Sequence, residues 1–190
     1  MKKGVDVLSS AYIALFVVNL IVSLSFYMLS TTVAMYARQV GLEPAAIGTV
    51  VGVLSISSMC VRPFTGLIGD KFNNKHILIA SLLVIAAAVL GCSLTHSVPA
   101  LITLRILHGA GFSMSTTITM TLVAGTLSRE HMAQGLGWFA LGQTVSSALA
   151  PSIGLAIGGA WGFDVTFRAA AGLLLGAAAL AAAVVRDGAR

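Results

Sequence analysis

The sequence predicts an all-α membrane protein of six transmembrane helices, and three observations carry that prediction. Hydrophobic residues make up 57% of the 190-residue chain and charged residues only 9%, against roughly a quarter charged in an ordinary soluble domain. Mean hydropathy is +0.98. Apolar runs near or above the roughly 20 residues that span a hydrocarbon core of about 30 Å occur six times: Tyr12–Met35, Ala46–Gly69, Ile77–Leu94, Ala100–Thr126, Gly135–Ala160 and Thr166–Val185. Strands of a membrane barrel need only about 10 residues of alternating polarity, a pattern these runs do not show.

Taken in order, each run carries its own marks. The first holds Asn19, Ser23, Ser25 and Tyr27, spaced to give a helix one polar face; Asn19 and Tyr27 are candidates for lining a substrate cavity. The second contains Arg62 beside Pro63 and ends in the charged turn "GLIGDKFNNKH". By helical rise Arg62 lies about 12 Å inside the end marked by Asp70, so it is expected to face a cavity or protein neighbours rather than lipid. The third run is featureless apart from Cys92. The fourth reads "LRILHGAGF" from Leu104 and carries Arg105, an intramembrane cation that by default suggests a functional site, although about 8 Å from the outer end of its helix it is also placed to snorkel. His108, one turn away on the same face, is a candidate proton relay because imidazole titrates near neutral pH, with a hydrogen-bonded packing histidine as the alternative. The fifth, "GWFALGQTVSSALAPSIGL" from Gly137, is rich in small residues around Pro151, as close helix packing requires. The sixth is an alanine- and glycine-rich span.

Loop cations orient the bundle. One side collects Lys2, Lys3, Lys71, Lys75, Arg129, Arg186 and Arg190; the other has Arg38 and Arg168 alone, and Arg62 and Arg105 remain inside the membrane. Both termini and the Asp70–Lys75 turn are therefore expected in the cytoplasm of a multi-pass protein of the cell (inner) membrane.

Several classes are excluded. The first apolar run is longer than the 7–15 residues of a signal peptide, and no A-x-A site follows it. Cys60 and Cys92 both fall in spans, so neither a disulfide framework nor a metal site is expected. The net charge of +5 is scattered over short loops rather than gathered into a stripe, which argues against nucleic acid. No G-x-S-x-G elbow, H-E-x-x-H pair or intramembrane aspartate pair suggests an enzyme, and no cofactor is implied. All six acidic residues, Asp6, Glu43, Asp70, Glu130, Asp164 and Asp187, fall in loops or at helix ends, so no buried carboxylate is expected to carry protons.

An internal repeat is also legible. At an offset of 86, "FYMLSTT" from Phe26 matches "FSMSTTI" from Phe112 in kind: Phe26/Phe112, Met28/Met114, Ser30/Thr116 and Thr31/Thr117. At an offset of 88, Pro63, Gly66 and Leu67 recur as Pro151, Gly154 and Leu155. Three helices separate the partners, so residues 12–94 and 100–185 are expected to form a 3+3 inverted-topology repeat of the kind found in secondary transporters.

Gly66, Asp70, Lys71 and Lys75 fit G-x-x-x-D-[RK]-x-G-x-[RK], and with them the chain resembles the major facilitator superfamily, whose pattern between helices 2 and 3 this is. The resemblance implies a conformational latch in which the turn binds the opposite half in one state; Gly66 is expected to admit a close neighbour. Asn73 stands where the pattern has glycine, tolerable if it adopts a left-handed conformation, and Asn74 stands where it has a basic residue. Arg105, His108, Gly109 and Gly111 resemble R-x-x-x-G-x-G, which the resemblance associates with proton coupling. Gly137, Ser146, Ala150, Pro151, Gly154 and Leu155 occupy the positions of a glycine-rich efflux pattern, with Gly109, Gly111, Gly137, Pro151 and Gly154 as packing residues. Gly125 stands where an acidic residue would complete a charge network. The resemblance covers the chain as the first six-helix half of a twelve-helix fold. It implies proton-coupled efflux of small molecules by alternating access, with a second half or another copy of the chain as partner. The competing function is a non-transporting membrane partner or assembly subunit.

Overall fold

The computed structural model describes residues 9–185. Lys2, Lys3, Arg186 and Arg190 of the topology argument, with Asp6 and Asp187, lie outside the described residues. Six helices fill the rest: α1 Ser10–Gln39, α2 Pro44–Lys71, α3 Asn74–Cys92, α4 Val98–Thr126, α5 Met132–Trp161 and α6 Phe163–Val184. Each begins two or three residues before the apolar run that predicts it. The cause is capping chemistry, which is polar and escapes a hydropathy scan. The Ser9 hydroxyl accepts from the Tyr12 amide at 3.1 Å, closing one of the orphan donors of the first turn. Pro44 opens α2 and Pro99 lies in the first turn of α4, where a missing N–H costs nothing.

Helix ends are equally specific. Gly41 has φ +82°; its amide donates to the Arg38 carbonyl at 3.1 Å while the Leu42 amide donates to the Ala37 carbonyl at 3.0 Å. This pair of bonds is the Schellman closure, which needs a left-handed residue after the cap. Gly162, at φ +92°, alone separates α5 from α6 and ends one helix while starting the other.

Among the described residues five helices are long and apolar enough to cross a membrane, and α4 is the exception. The expectation of six apolar spans is corrected there. Arg105, His108 and the hydroxyl-rich stretch "SMSTTITMT" from Ser113 lower its hydropathy. A helix can carry that load at membrane depth only where protein or water, not lipid, surrounds its polar face. The packing meets this condition: α4 lies against α2 and α3, α1 lies against α5 and α6, α1 touches α4, and α3 meets α6.

Glycines let these helices close. A Cβ on Gly109 would strike the Leu54 carbonyl of α2, and one on Gly111 would come within 2.7 Å of Ile85 Cγ1 of α3. Two residues apart, the two glycines seat α4 on both neighbours. On α5 the buried small residues Gly142, Ser146, Ala150, Gly154 and Gly158 recur every fourth position, forming the small-xxx-small ridge that draws membrane helices together. Gly142 meets Phe16, and Gly154 meets Met28 and Thr32, all on α1. Outward faces of α2 and α5 carry Ile56, Met59, Phe64, Leu67, Trp138, Leu141 and Leu149 in the open, as expected of surfaces solvated by hydrocarbon or another apolar wall.

Candidate functional site

Where α1 and α4 meet, Phe26 and Phe112 stack with ring centroids 4.2 Å apart and planes 18° apart. Tyr27 lies half-buried, its ring edge-on to Phe26 at 5.2 Å. Two grooves open beside this aromatic pair. The smaller, about 290 Å³, is lined by Phe26, Leu54, Ser55, Ser58, Met59, Arg62 and Phe112. The larger, about 570 Å³, adds Thr116, Thr117, Met120, Thr121, Ala124 and Gln143 to Arg62 and Phe112. The larger is of the size that takes small organic ligands.

Arg62 is the cation of both grooves. It sits nine residues before the end of α2 and its side chain is exposed on the open face. On an isolated apolar helix at that depth an arginine costs about 2.5–3.5 kcal/mol even on the mildest scale. An open groove that admits water would remove most of that cost.

The other cation takes a different place. Arg105 is only 2% exposed and His108 1%, and the guanidinium Nη1 lies 3.2 Å from His108 Nδ1. Its Nε has no hydrogen-bond partner within the described residues. Arg105 lines neither groove; it is held inside the bundle, within electrostatic reach of the Cys92 thiol. Nearby chemistry gathers at the same end of the bundle. The Tyr36 hydroxyl meets the Thr95 carbonyl at 3.0 Å and His96 Nδ1 at 2.8 Å, and Asp164, in the first turn of α6, has a buried Oδ1 without a hydrogen-bond partner in the described residues. The expectation that no carboxylate is buried is therefore corrected in part, because one oxygen of a helix-end aspartate turns inward. Asn19, at 7% exposure, is also interior and lines neither groove. Arg62, Thr117 and Gln143 line the open groove instead.

The charged turn is shorter than expected. Asp70 and Lys71 complete α2, and only Phe72 and Asn73 separate it from α3. Asn73 is extended, at φ −67° and ψ 117°, and its side chain accepts from the Lys75 amide at 2.9 Å. It serves as an N-cap, so the left-handed conformation expected for it is corrected. Asp70 and Lys71 are exposed and Lys75 half-buried. Within the six helices nothing approaches within 4 Å of a Cβ on Gly66, Gly125 or Gly137; Gly69 instead packs under Ile118 and Asn74. Gly109, Gly111 and Gly154 lie against neighbouring helices, whereas a Cβ on Gly66 or Gly137 meets nothing within 4 Å. Pro151 lies within a continuous α5, half-buried.

Thr121, Gln143, Ser55 and Ser58 were not singled out from the sequence. Thr117, Thr121 and Ala124 follow i, i+4, i+7 spacing, a helical-face signal that was available. Gln143 had none, because only tertiary packing brings α5 to the groove.

With this geometry in hand, comparison with known proteins is decisive for the family. The sequence profile of the Major Facilitator Superfamily matches residues 15–190. The chain belongs to that superfamily. Among major facilitator relatives, it is 29% identical over 110 residues to the uncharacterized MFS-type transporter YvkA of Bacillus subtilis, covering 58% of this chain and 25% of that one. It is 27% identical over 142 residues to the multi-drug resistance efflux pump PmrA of Streptococcus pneumoniae, covering 74% and 35%. With the quinolone resistance protein NorA of Staphylococcus aureus it shares 24% over 119 residues, covering 63% and 31%. The chain thus spans well under half the length of these relatives. A crystal structure of the peptide transporter POT in complex with sulfate superposes with a TM-score of 0.83 at 17% identity, covering 91% of this chain and 37% of POT. That likeness establishes the fold; membership of the superfamily, together with the long apolar helices, makes the chain part of a multi-pass membrane protein.

Proposed function

We propose that the protein exports small organic molecules across the cell membrane by alternating access, coupled to protons, with these six helices forming one wall of the transport site. The observation that carries the proposal is the pair of grooves beside Phe26 and Phe112, where Arg62 and hydroxyl side chains face outward from α2 and α4 at membrane depth. Polar groups there are costly unless they serve a water-filled route. The multidrug efflux relatives support the direction of transport. A second six-helix segment, or another copy, supplies the opposite wall in this proposal.

The 3+3 repeat belongs to the same proposal. Exchanging α1 with α4, α2 with α5 and α3 with α6 turns the α2–α4 contact into α5–α1 and the α3–α4 contact into α6–α1, and both members of each pair are present. The repeat-matched Phe26 and Phe112 meet near its centre. Residues 12–94 and 100–185 would then move as paired units, with Asp70, Lys71 and Lys75 as a cytoplasmic latch, Gly66 facing the opposite wall, and Arg105 with His108 coupling protons from inside the bundle. Cytoplasmic termini follow from the loop cations by the positive-inside rule.

Proton movement in proteoliposomes, followed with a pH-sensitive dye over a panel of small molecules, tests the function. The expected result is compound-dependent proton flux that Asp70→Asn reduces while membrane insertion is unchanged. Flux absent for every compound, in protein that is folded and inserted, would favour the non-transporting alternative.

A further inference from the structure

We infer that the substrate of this groove is an organic anion with a flat apolar body, its carboxylate or sulfonate paired with Arg62 and its body laid against Phe26 and Phe112. The inference rests on the proposed transport site and adds the class of molecule that fills it. Arg62 and Phe112 line both grooves, so they form the one point at which the two volumes, about 290 and 570 Å³, share a charge and an aromatic surface. Among the described residues no acidic side chain lines either groove; Glu43, Asp70, Glu130 and Asp164 all lie at or near helix ends. A cation entering here would meet a guanidinium that no carboxylate of the groove compensates.

Hydrogen-bonding capacity points the same way. Thr116 donates its hydroxyl proton to the Phe112 carbonyl at 2.8 Å, and Thr121 donates to the Thr117 carbonyl at 3.1 Å. Arg62 donates to nothing within the described residues. Its planar fork of donors matches a carboxylate or sulfonate in two-point contact, and the nearby Ser58 and Gln143 side chains add neutral donors. Arg105 does not compete for the anion, because it is enclosed against His108.

The test is binding of two matched probes, 2-naphthoate and 2-naphthylmethylammonium, to the protein expressed from its native gene and held in lipid nanodiscs. The expected result is a preference for the anion of about tenfold or more, lost in Arg62→Gln and partly kept in Arg62→Lys, as charge-assisted pairing requires. Equal or tighter binding of the cation by the unaltered protein overturns the inference without recourse to any variant, and so does full anion affinity in a folded Arg62→Gln protein. Flux of the same probes in proteoliposomes is read separately. Arg62-dependent anion binding without flux contradicts transport and leaves the anion preference standing; flux of the cation that Arg62→Gln leaves unchanged contradicts the anion preference and leaves transport standing.

Discussion

Phe26 of α1 and Phe112 of α4 stack almost face to face, centroids 4.2 Å apart, and they are the same pair that a constant offset of 86 aligns between the first three helices and the last three. The contact joins the two halves of the proposed repeat at the edge of the groove. A double-mutant cycle with Phe26→Leu and Phe112→Leu should return a coupling of about 1 kcal/mol, the range measured for aromatic pairs beyond their buried area. Thermal unfolding in lipid or mild detergent reads it; additive effects of the two substitutions would show that the stack contributes nothing of its own.

Three glycines with the same sequence character should respond differently to one methyl group. Gly109→Ala drives a Cβ into the Leu54 carbonyl, backbone against backbone, and should destabilise the bundle by roughly 1–3 kcal/mol, as overpacking does. Gly137→Ala meets open space and should be neutral or stabilising by up to about 1 kcal/mol through helix propensity. Gly66→Ala should likewise leave the stability of these six helices unchanged but reduce flux, since its open face is proposed to meet the opposite wall. Stability and flux measured on the same three variants separate packing within the bundle from packing across the site.

Gly162 is the whole connection between α5 and α6, at φ +92°. Any residue with a Cβ is strained at this φ and a ψ of 149°, by about 1–3 kcal/mol. Gly162→Ala should lower the melting temperature, whereas Gly159→Ala three residues earlier, with open space above it, should not. Equal effects at both positions would contradict the assigned conformation.

Arg105→Lys keeps the charge but loses the planar donor fork that reaches His108 at 3.2 Å. The variant should insert normally and lose proton-coupled flux, because the proposed coupling pair is broken while the groove, which Arg105 does not line, is intact. Probe binding in nanodiscs should therefore stay within about twofold of the unaltered protein, well under the tenfold that 1.4 kcal/mol represents. Normal pH-driven flux in Arg105→Lys would remove the arginine from the coupling mechanism.

Helix number and order were legible because apolar run length is set by bilayer thickness, a constraint that acts on every span alike. Starts were read two or three residues late because Ser9, Pro44 and Asn73 mark them with polar or cyclic side chains. Arg62 lines the grooves whereas Arg105 is enclosed. Both are intramembrane arginines, and depth alone cannot say whether a side chain faces a groove or a packed interior; that depends on which neighbour Gly109 and Gly111 pull against α4. Gly66 and Gly109 show the same limit. The residue type permits a close approach, and only the fold says whether a neighbour is there.

Alternating access around the Phe26–Phe112 groove is the central claim, and cysteine labelling tests it most directly. With Cys60 and Cys92 replaced by serine, Thr117→Cys places one thiol in the groove, and a membrane-impermeant maleimide is applied from one face of sealed vesicles or the other. The account predicts labelling from both faces, with a proton gradient shifting the preferred side. A thiol reached from only one face under every condition, in protein that remains folded, would contradict it.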